Sequence, residues 1–180
     1  GQSVATPVNN ADAHLLCVAI NSKRLELPAV LILKNRFGTG ALKPTAARSL
    51  CLPSWKNETT PLTFPGPKAP SDLDPFVCYA ARHPTGTPSF KVPSSVQLKD
   101  QFDTLTTGVG GPNFVCIPTS ETLSGTAAKL VNPARSLVCF AIPLAPAASR
   151  TVYDKNRFGV GAVKIGRSRE LAPSTAAAAG

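Results

Sequence analysis

The chain has 180 residues and a mass of 18.7 kDa, with 43% hydrophobic and only 16% charged residues. This composition is too apolar for a disordered tail and too weakly charged for a coiled coil. The 18 prolines and 13 glycines are scattered along the sequence and leave no room for long helices. We therefore expect an all-β protein of short strands joined by turns, and the composition indicates no enzyme class.

The two ends of the chain carry small side chains without a strand-length apolar run. We interpret residues 1–13 as an N-terminal arm and candidate donor strand, whose polymer contacts are Val4, Ala5, Pro7 and Val8. Residues 175–180 form an Ala-rich tail. Such ends are held either on the sheet edge of a neighbouring subunit or on their own chain, and both alternatives remain open.

The sequence contains no Met, not even at position 1. We interpret this as a mature chain whose leader has been removed, which implies export. No apolar run approaches the ~18–20 residues that span a bilayer. The expected localisation is therefore extracellular, with no membrane span.

Three cysteines recur at a constant spacing and indicate an internal repeat. Cys17, Cys78 and Cys139 are each 61 residues apart. Downstream, the Lys-Asn-Arg-Phe-Gly segment at 34–38 recurs unchanged at 155–159, and more loosely as Lys-Asp-Gln-Phe-Asp at 99–103. Each unit then closes on a similar frame that begins at Cys51, Cys116 or Leu171.

These blocks predict three tandem units of about 60 residues with β patterns inside them. The glycines that follow each Phe predict a turn, whereas a phosphate-binding loop at 38–43 or 159–164 would need a helix after it. We expect the units to be strung as modules or closed into one pseudo-threefold body. The predicted boundaries are arm 1–13, repeat 14–60, linker 61–74, repeat 75–122, linker 123–135, repeat 136–174 and tail 175–180.

The order of these motifs resembles an uncharacterised repeat domain of secreted bacterial and archaeal proteins. Residues 14–17 carry its opening H-x-x-C, residues 96–102 its V-x-L-x-D-Q-F, and residues 50–53 its closing L-C-x-P. The third unit departs from the pattern, because Ser136 replaces the opening His and Leu171 replaces the closing Cys. The resemblance implies a fold and a secreted location, but it supplies no active site.

Five cysteines in a secreted chain predict two disulfides and one cysteine left over. The repeat pairs the opening and closing cysteines of one unit, which gives Cys17–Cys51 and Cys78–Cys116. Disulfides that close loops of 34 and 38 residues stabilise a fold by roughly 3–4 kcal/mol each. Cys139 faces Leu171 and is predicted to be unpaired. A buried thiol, an intermolecular bridge and a nucleophile are its alternatives, although His14 and His83, the two histidines of the chain, belong to other units.

The sequence offers little from which to build a catalytic centre. No recognised metal, nucleophile or phosphate-loop motif occurs, and Asp72 and Asp74 lie in a Pro/Ser-rich linker where a turn cap is expected. We expect no enzyme activity, no cofactor and no metal. Asn57 begins a glycosylation sequon and is a candidate modification site.

The net charge of +9 is concentrated in the outer units. Residues 1–60 carry seven positive and three negative charges, and residues 121–180 carry eight and three. Only 6% of residues are aromatic, which argues against nucleic-acid recognition because base stacking needs aromatic side chains. The charge fits an anionic glycan or a cell-surface polymer, or an acidic patch on another subunit.

The sequence therefore predicts a secreted structural protein, the subunit of an extracellular homopolymeric filament assembled by strand exchange. Its partner is a second copy of the chain, joined head to tail. The alternative is a non-catalytic module that binds an anionic glycan or cell-surface polymer through its basic outer repeats. That module would expose Trp55, Tyr79 or Tyr153 beside a basic face.

Overall fold

Strand-forming residues between turns produce a fold of β-strands alone in the part of the chain that is described. The structure is a computed structural model that describes residues 14–21, 30–58, 71–100, 104–122, 125–143, 149–166 and 169–177. The all-β prediction is confirmed for these residues. Their strands are β1 His14–Ala19, β2 Leu31–Asn35, β3 Gly38–Asn57, β4 Phe76–Arg82, β5 Val96–Lys99, β6 Thr104–Thr107, β7 Pro112–Pro118, β8 Arg135–Ala141, β9 Arg150–Asn156, β10 Gly159–Ile165, β11 Glu170–Leu171 and β12 Ser174–Ala177.

Ten of the strands form one antiparallel sheet that contains strands of all three predicted units. Its main path is β10-β9-β3-β2-β12-β8-β7-β4, with β1 beside β3 and β11 beside β8, while β5 and β6 form a separate ribbon. In the described ranges, neither a threefold arrangement of the units nor a closed body is shown. The sheet therefore unites the units without settling how they are related.

The 20-residue strand β3 holds the sheet together by changing neighbours along its length. Its start pairs with β2, its middle with β4 and β1, and its last three residues with β9. The register against β4 shifts after Pro44 and again after Ala47. Pro44 has no N–H for the ladder, so a bulge at this point is expected and bends the strand.

Inward-facing side chains of the strands, together with Phe37 of a turn and Phe90 of a connecting segment, form two buried clusters. The first is centred on Phe37, Phe90 and Phe140, whose rings meet edge to face. The second contains Phe76 and four of the five cysteines. Burial of large side chains of this kind is the main stabilising term in a small β protein.

Both predicted disulfide pairs lie directly across strand pairs. Cys17 faces Cys51 between β1 and β3, and Cys78 faces Cys116 between β4 and β7. Each bridge therefore closes the predicted unit in which it lies. Cys139 on β8 is a free thiol and is buried.

Candidate assembly surface on the β9–β10 hairpin

The predicted polymer arm, with Val4, Ala5, Pro7 and Val8, lies outside the described residues. The described chain begins at β1, which pairs with β3 along its whole length. The arm therefore stays a prediction.

Strand β10, at one end of the sheet path, is largely exposed to solvent. It pairs with β9 from Gly159 opposite Asn156 to Ile165 opposite Arg150, and within the described ranges it has no second strand neighbour. The residues between its first and last are exposed. An edge strand of this kind offers unpaired N–H and C=O groups for the addition of another strand.

Three large apolar side chains are exposed on this hairpin. Phe158 is 55% exposed, Val160 42% and Val163 37%. Val160 and Val163 are three residues apart on the strand and so point to opposite faces. We call these three residues the hairpin surface. They present apolar groups beside an open backbone edge, which is the combination that strand addition uses.

The turn of the hairpin is built by the repeated Lys-Asn-Arg-Phe-Gly motif. The backbone N–H of Phe158 donates to Oδ1 of Asn156 at 2.8 Å, and Gly159 has a φ of 132°. The same arrangement forms the turn between β2 and β3, where the N–H of Phe37 donates to Asn35 at 2.8 Å. Asn side chains cap their own backbone in this way, so the motif specifies the turn locally.

Although the two turns match, the first hairpin is covered by another part of the chain. The N–H of Ala41 donates to the carbonyl of Pro88, and the N–H of Lys91 donates to the carbonyl of Phe37, both at 2.8 Å. Between these bonds the ring of Phe90 lies against Gly40, and a Cβ there would be 2.5 Å from the ring carbons. A segment of the second unit therefore covers the hairpin of the first.

The equivalent positions on the third unit's hairpin are bare. Gly161 corresponds to Gly40 in the repeat, and a Cβ on Gly161 would meet nothing within 4 Å among the described residues. Phe158 corresponds to Phe37, which is only 6% exposed. The Phe of the same motif is thus buried in the first hairpin and exposed in the third unit's hairpin.

The hairpin is nevertheless fixed to the body of the sheet. β9 pairs with the end of β3, Arg157 forms an ion pair with Glu121, and Arg150 lies 3.9 Å from Glu58. Asp154 is buried in β9, and burial raises the pKa of its carboxyl group, while hydrogen bonds with Ser54 and Asn156 oppose the rise. The hairpin surface therefore lies on a hairpin that is fixed to the rest of the sheet.

The aromatic residues that a glycan-binding module would expose are all half-buried. Trp55 and Tyr153 lie on the adjoining strands β3 and β9, and Tyr79 packs against the first core cluster. Sugar rings stack on exposed aromatic faces, so these three positions do not form an open platform.

The remaining candidate residues have structural contacts. Both carboxylate oxygens of the buried Asp74 accept backbone N–H groups, from Val131 and Asn132 at 2.7 Å, so this residue fastens a distant connecting segment instead of capping a turn of its own linker. His83 Nε2 lies 3.0 Å from the carbonyl of Pro88. Asn57 is half-buried opposite Tyr153. Among the described residues, no group of three His, Cys, Asp or Glu side chains is placed to hold a metal ion.

No protein-family model, curated protein or solved structure matches this chain. The resemblance to a secreted repeat domain therefore stays a prediction. The described residues also contain no helix that is long and apolar enough to cross a membrane. The exposed hairpin was missed by the sequence analysis, although the repeated motif marked it, because its composition is that of the buried hairpin.

Proposed function

We propose that the protein is a secreted structural subunit that assembles head to tail into an extracellular homopolymer. The observation that carries this proposal is the bare β9–β10 hairpin, whose counterpart on the first unit is covered. Residues around Phe90 cover the first hairpin within the chain. At Phe158 and Gly161 the corresponding cover comes from a neighbouring subunit.

The contact follows the order of the units along the chain. The second unit covers the hairpin of the first, so the first unit of the next subunit covers the hairpin of the third. The N-terminal arm at 1–13 adds as a strand along β10 and leads that unit into place. Such a contact joins two different surfaces and does not close on itself, so it generates a fibre unless the rotation closes a ring.

The energy for assembly comes from the hairpin surface. Fully burying a Phe or Val side chain contributes about 1.5–3 kcal/mol, and strand addition satisfies the open backbone edge of β10. The disulfides Cys17–Cys51 and Cys78–Cys116 support a location in an oxidising compartment, since such bridges are rare in the cytosol.

The pseudo-threefold arrangement of the units belongs to the same proposal. Its support is the path of strand pairings β2-β12-β8-β7-β4, both ends of which pair with β3. In this path β2 belongs to the first predicted unit, β4 and β7 to the second and β8 to the third, while β12 comes from the end of the chain.

The test compares the assembly of four proteins by negative-stain electron microscopy and sedimentation velocity. These are the intact chain, a variant lacking residues 1–13, Gly161→Leu and the control Gly111→Leu. The Cβ positions of Gly161 and Gly111 both meet open space among the described residues, so neither substitution creates a clash at Cβ and we expect both variants to fold. We expect polymers from the intact chain and from the control alone.

Polymers from Gly161→Leu that match those of the intact chain would show that β10 is not the acceptor. Discrete monomers from the intact chain would reject the structural role. In that case binding to anionic glycans would be measured next, because it was the second function that the sequence predicted.

A further inference from the structure

The five cysteines lie on five strands that are consecutive neighbours in the sheet. These strands are β1, β3, β4, β7 and β8, and each pairs with the next. They carry Cys17, Cys51, Cys78, Cys116 and Cys139 in that order. The cysteines of different units are therefore brought side by side by the sheet.

The sulfur atoms form one continuous row. Disulfides join the first pair and the second pair of cysteines. Between the two bridges, Sγ of Cys51 lies 3.4 Å from Sγ of Cys78. Beyond them, Sγ of Cys116 lies 3.8 Å from Sγ of Cys139. Each gap is close to the contact distance of two nonbonded sulfur atoms, so no other group separates them.

The two ends of the row have opposite environments. Cys139 is buried and carries the free thiol, while Cys17 is exposed on β1. The three cysteines between them are buried in the same apolar cluster. A thiol at one end is thus connected to the surface at the other end through two disulfides.

We propose that this row is a thiol–disulfide exchange relay that moves the free thiol from buried Cys139 to exposed Cys17. Cys17 then becomes a site for modification by a small electrophile, or for mixed-disulfide formation with a small disulfide compound. This inference does not depend on the assembly of the protein.

The relay has two steps, and both are balanced. The Cys139 thiolate attacks Sγ of Cys116, so the Cys116–Cys139 bond forms, the Cys78–Cys116 bond breaks, and Cys78 leaves as a thiolate. Cys78 then attacks Sγ of Cys51, and Cys17 leaves with the electron pair. The proton that Cys139 released to water is replaced by one that Cys17 takes up. Two disulfides and one thiol are present before and after, so no oxidant or reductant is needed.

The first step is controlled by the ionisation of Cys139. Burial, followed by the charge of Glu170, raises the pKa of this thiol to about 12. The other side chains in its cluster are apolar or disulfide-bonded. The thiolate is the attacking species, so exchange is slow at neutral pH and its rate rises about tenfold per pH unit in the alkaline range below that pKa.

The test treats the native protein with N-ethylmaleimide at mildly alkaline pH, quenches with acid and maps the adduct and disulfides after peptic digestion. Pepsin is active in acid, where thiols stay protonated and disulfides do not exchange during the digestion. We expect the adduct on Cys17, with the new bridges Cys51–Cys78 and Cys116–Cys139. An adduct on Cys139 with the original bridges would overturn the relay, and so would the absence of an adduct on Cys17 after long incubation at each pH of the alkaline range in which the protein stays folded.

Two variants separate the relay from other routes. Cys139→Ser contains no thiol and should give no adduct at Cys17. The double variant Cys78→Ser/Cys116→Ser keeps the Cys139 thiol and the Cys17–Cys51 bridge but interrupts the row, so labelling at Cys17 should also be lost. Should that variant not fold, the dependence of the wild-type rate on protein concentration decides. The labelling rate of an intramolecular relay is independent of protein concentration. A rate that rises in proportion to protein concentration would overturn the relay.

Discussion

The ring of Phe37 meets the ring of Phe140 edge to face, with 5.1 Å between the ring centroids and 89° between their planes. Phe37 belongs to the turn of the first hairpin and Phe140 to strand β8, so the contact joins the first and third units. Phe158 has the same place in the repeated motif as Phe37, yet it is largely exposed. The same residue in the same local sequence thus stabilises the core at position 37 but contributes little to it at position 158.

We predict that Phe37→Ala and Phe158→Ala differ sharply in the monomer. The first substitution empties a buried ring position and should lower the free energy of unfolding by about 3–5 kcal/mol. The second removes an exposed ring and should change it by less than about 0.5 kcal/mol. Urea unfolding followed by fluorescence or circular dichroism measures both values, under conditions in which the protein is monomeric. Equal losses would contradict the assignment of Phe37 to the core.

The two equivalent glycines provide a matched pair. A Cβ on Gly40 would overlap the Phe90 ring, so Gly40→Ala should cost about 1–3 kcal/mol through displacement of the ring. Gly161→Ala meets open space and should be neutral or stabilising by up to about 1 kcal/mol, because Ala restricts the unfolded chain. Thermal and urea unfolding of the two variants test the difference. A destabilised Gly161→Ala would mean that its surroundings are filled in the monomer.

Asp74 is expected to be the most sensitive carboxylate of the described chain. Asp74→Ala leaves the N–H groups of Val131 and Asn132 without their acceptor, and should cost about 2–4 kcal/mol. Asp74→Asn retains one acceptor oxygen and should fall between this variant and the wild type. Asp72→Ala, at an exposed position two residues away, is the comparison and should cost clearly less than Asp74→Ala. The free energies of unfolding in urea decide the order.

The raised pKa of Cys139 predicts a loss of stability at alkaline pH. Its folded-state pKa is about 12, compared with an ordinary value of 9.0, so the folded protein retains the proton when the unfolded chain releases it. This contribution is complete below pH 9 and is lost as the pH rises from there towards 12. The loss approaches about 1.4 kcal/mol per pH unit.

Cys139→Ala should lack this part of the alkaline slope, although its stability at neutral pH is lower because a buried side chain has been shortened. Free energies of unfolding at a series of pH values from 8 to 10.5 separate the slope from the offset. Identical slopes for the variant and the wild type would show that Cys139 titrates as an ordinary exposed thiol.

Features that depend on neighbouring residues or on the repeat could be predicted from the sequence. Asn35 and Asn156 cap the turns of their own hairpins, since the capping oxygen is two residues from the N–H that it accepts. The repeat also gave the pairs Cys17–Cys51 and Cys78–Cys116, because each pair joins the first and last strands of one predicted unit.

The sequence does not show which of the two equivalent Phe residues is buried, or which cysteines meet across units. Phe90 reaches Gly40 from a distant segment, and Cys116 lies beside Cys139 because β7 pairs with β8. Such contacts depend on the order of strands in the sheet, which the local alternation of apolar and polar residues does not encode. Burial depends on which distant segments pack against a residue, so the Phe of the same Lys-Asn-Arg-Phe-Gly segment is part of the core in one unit and exposed in another.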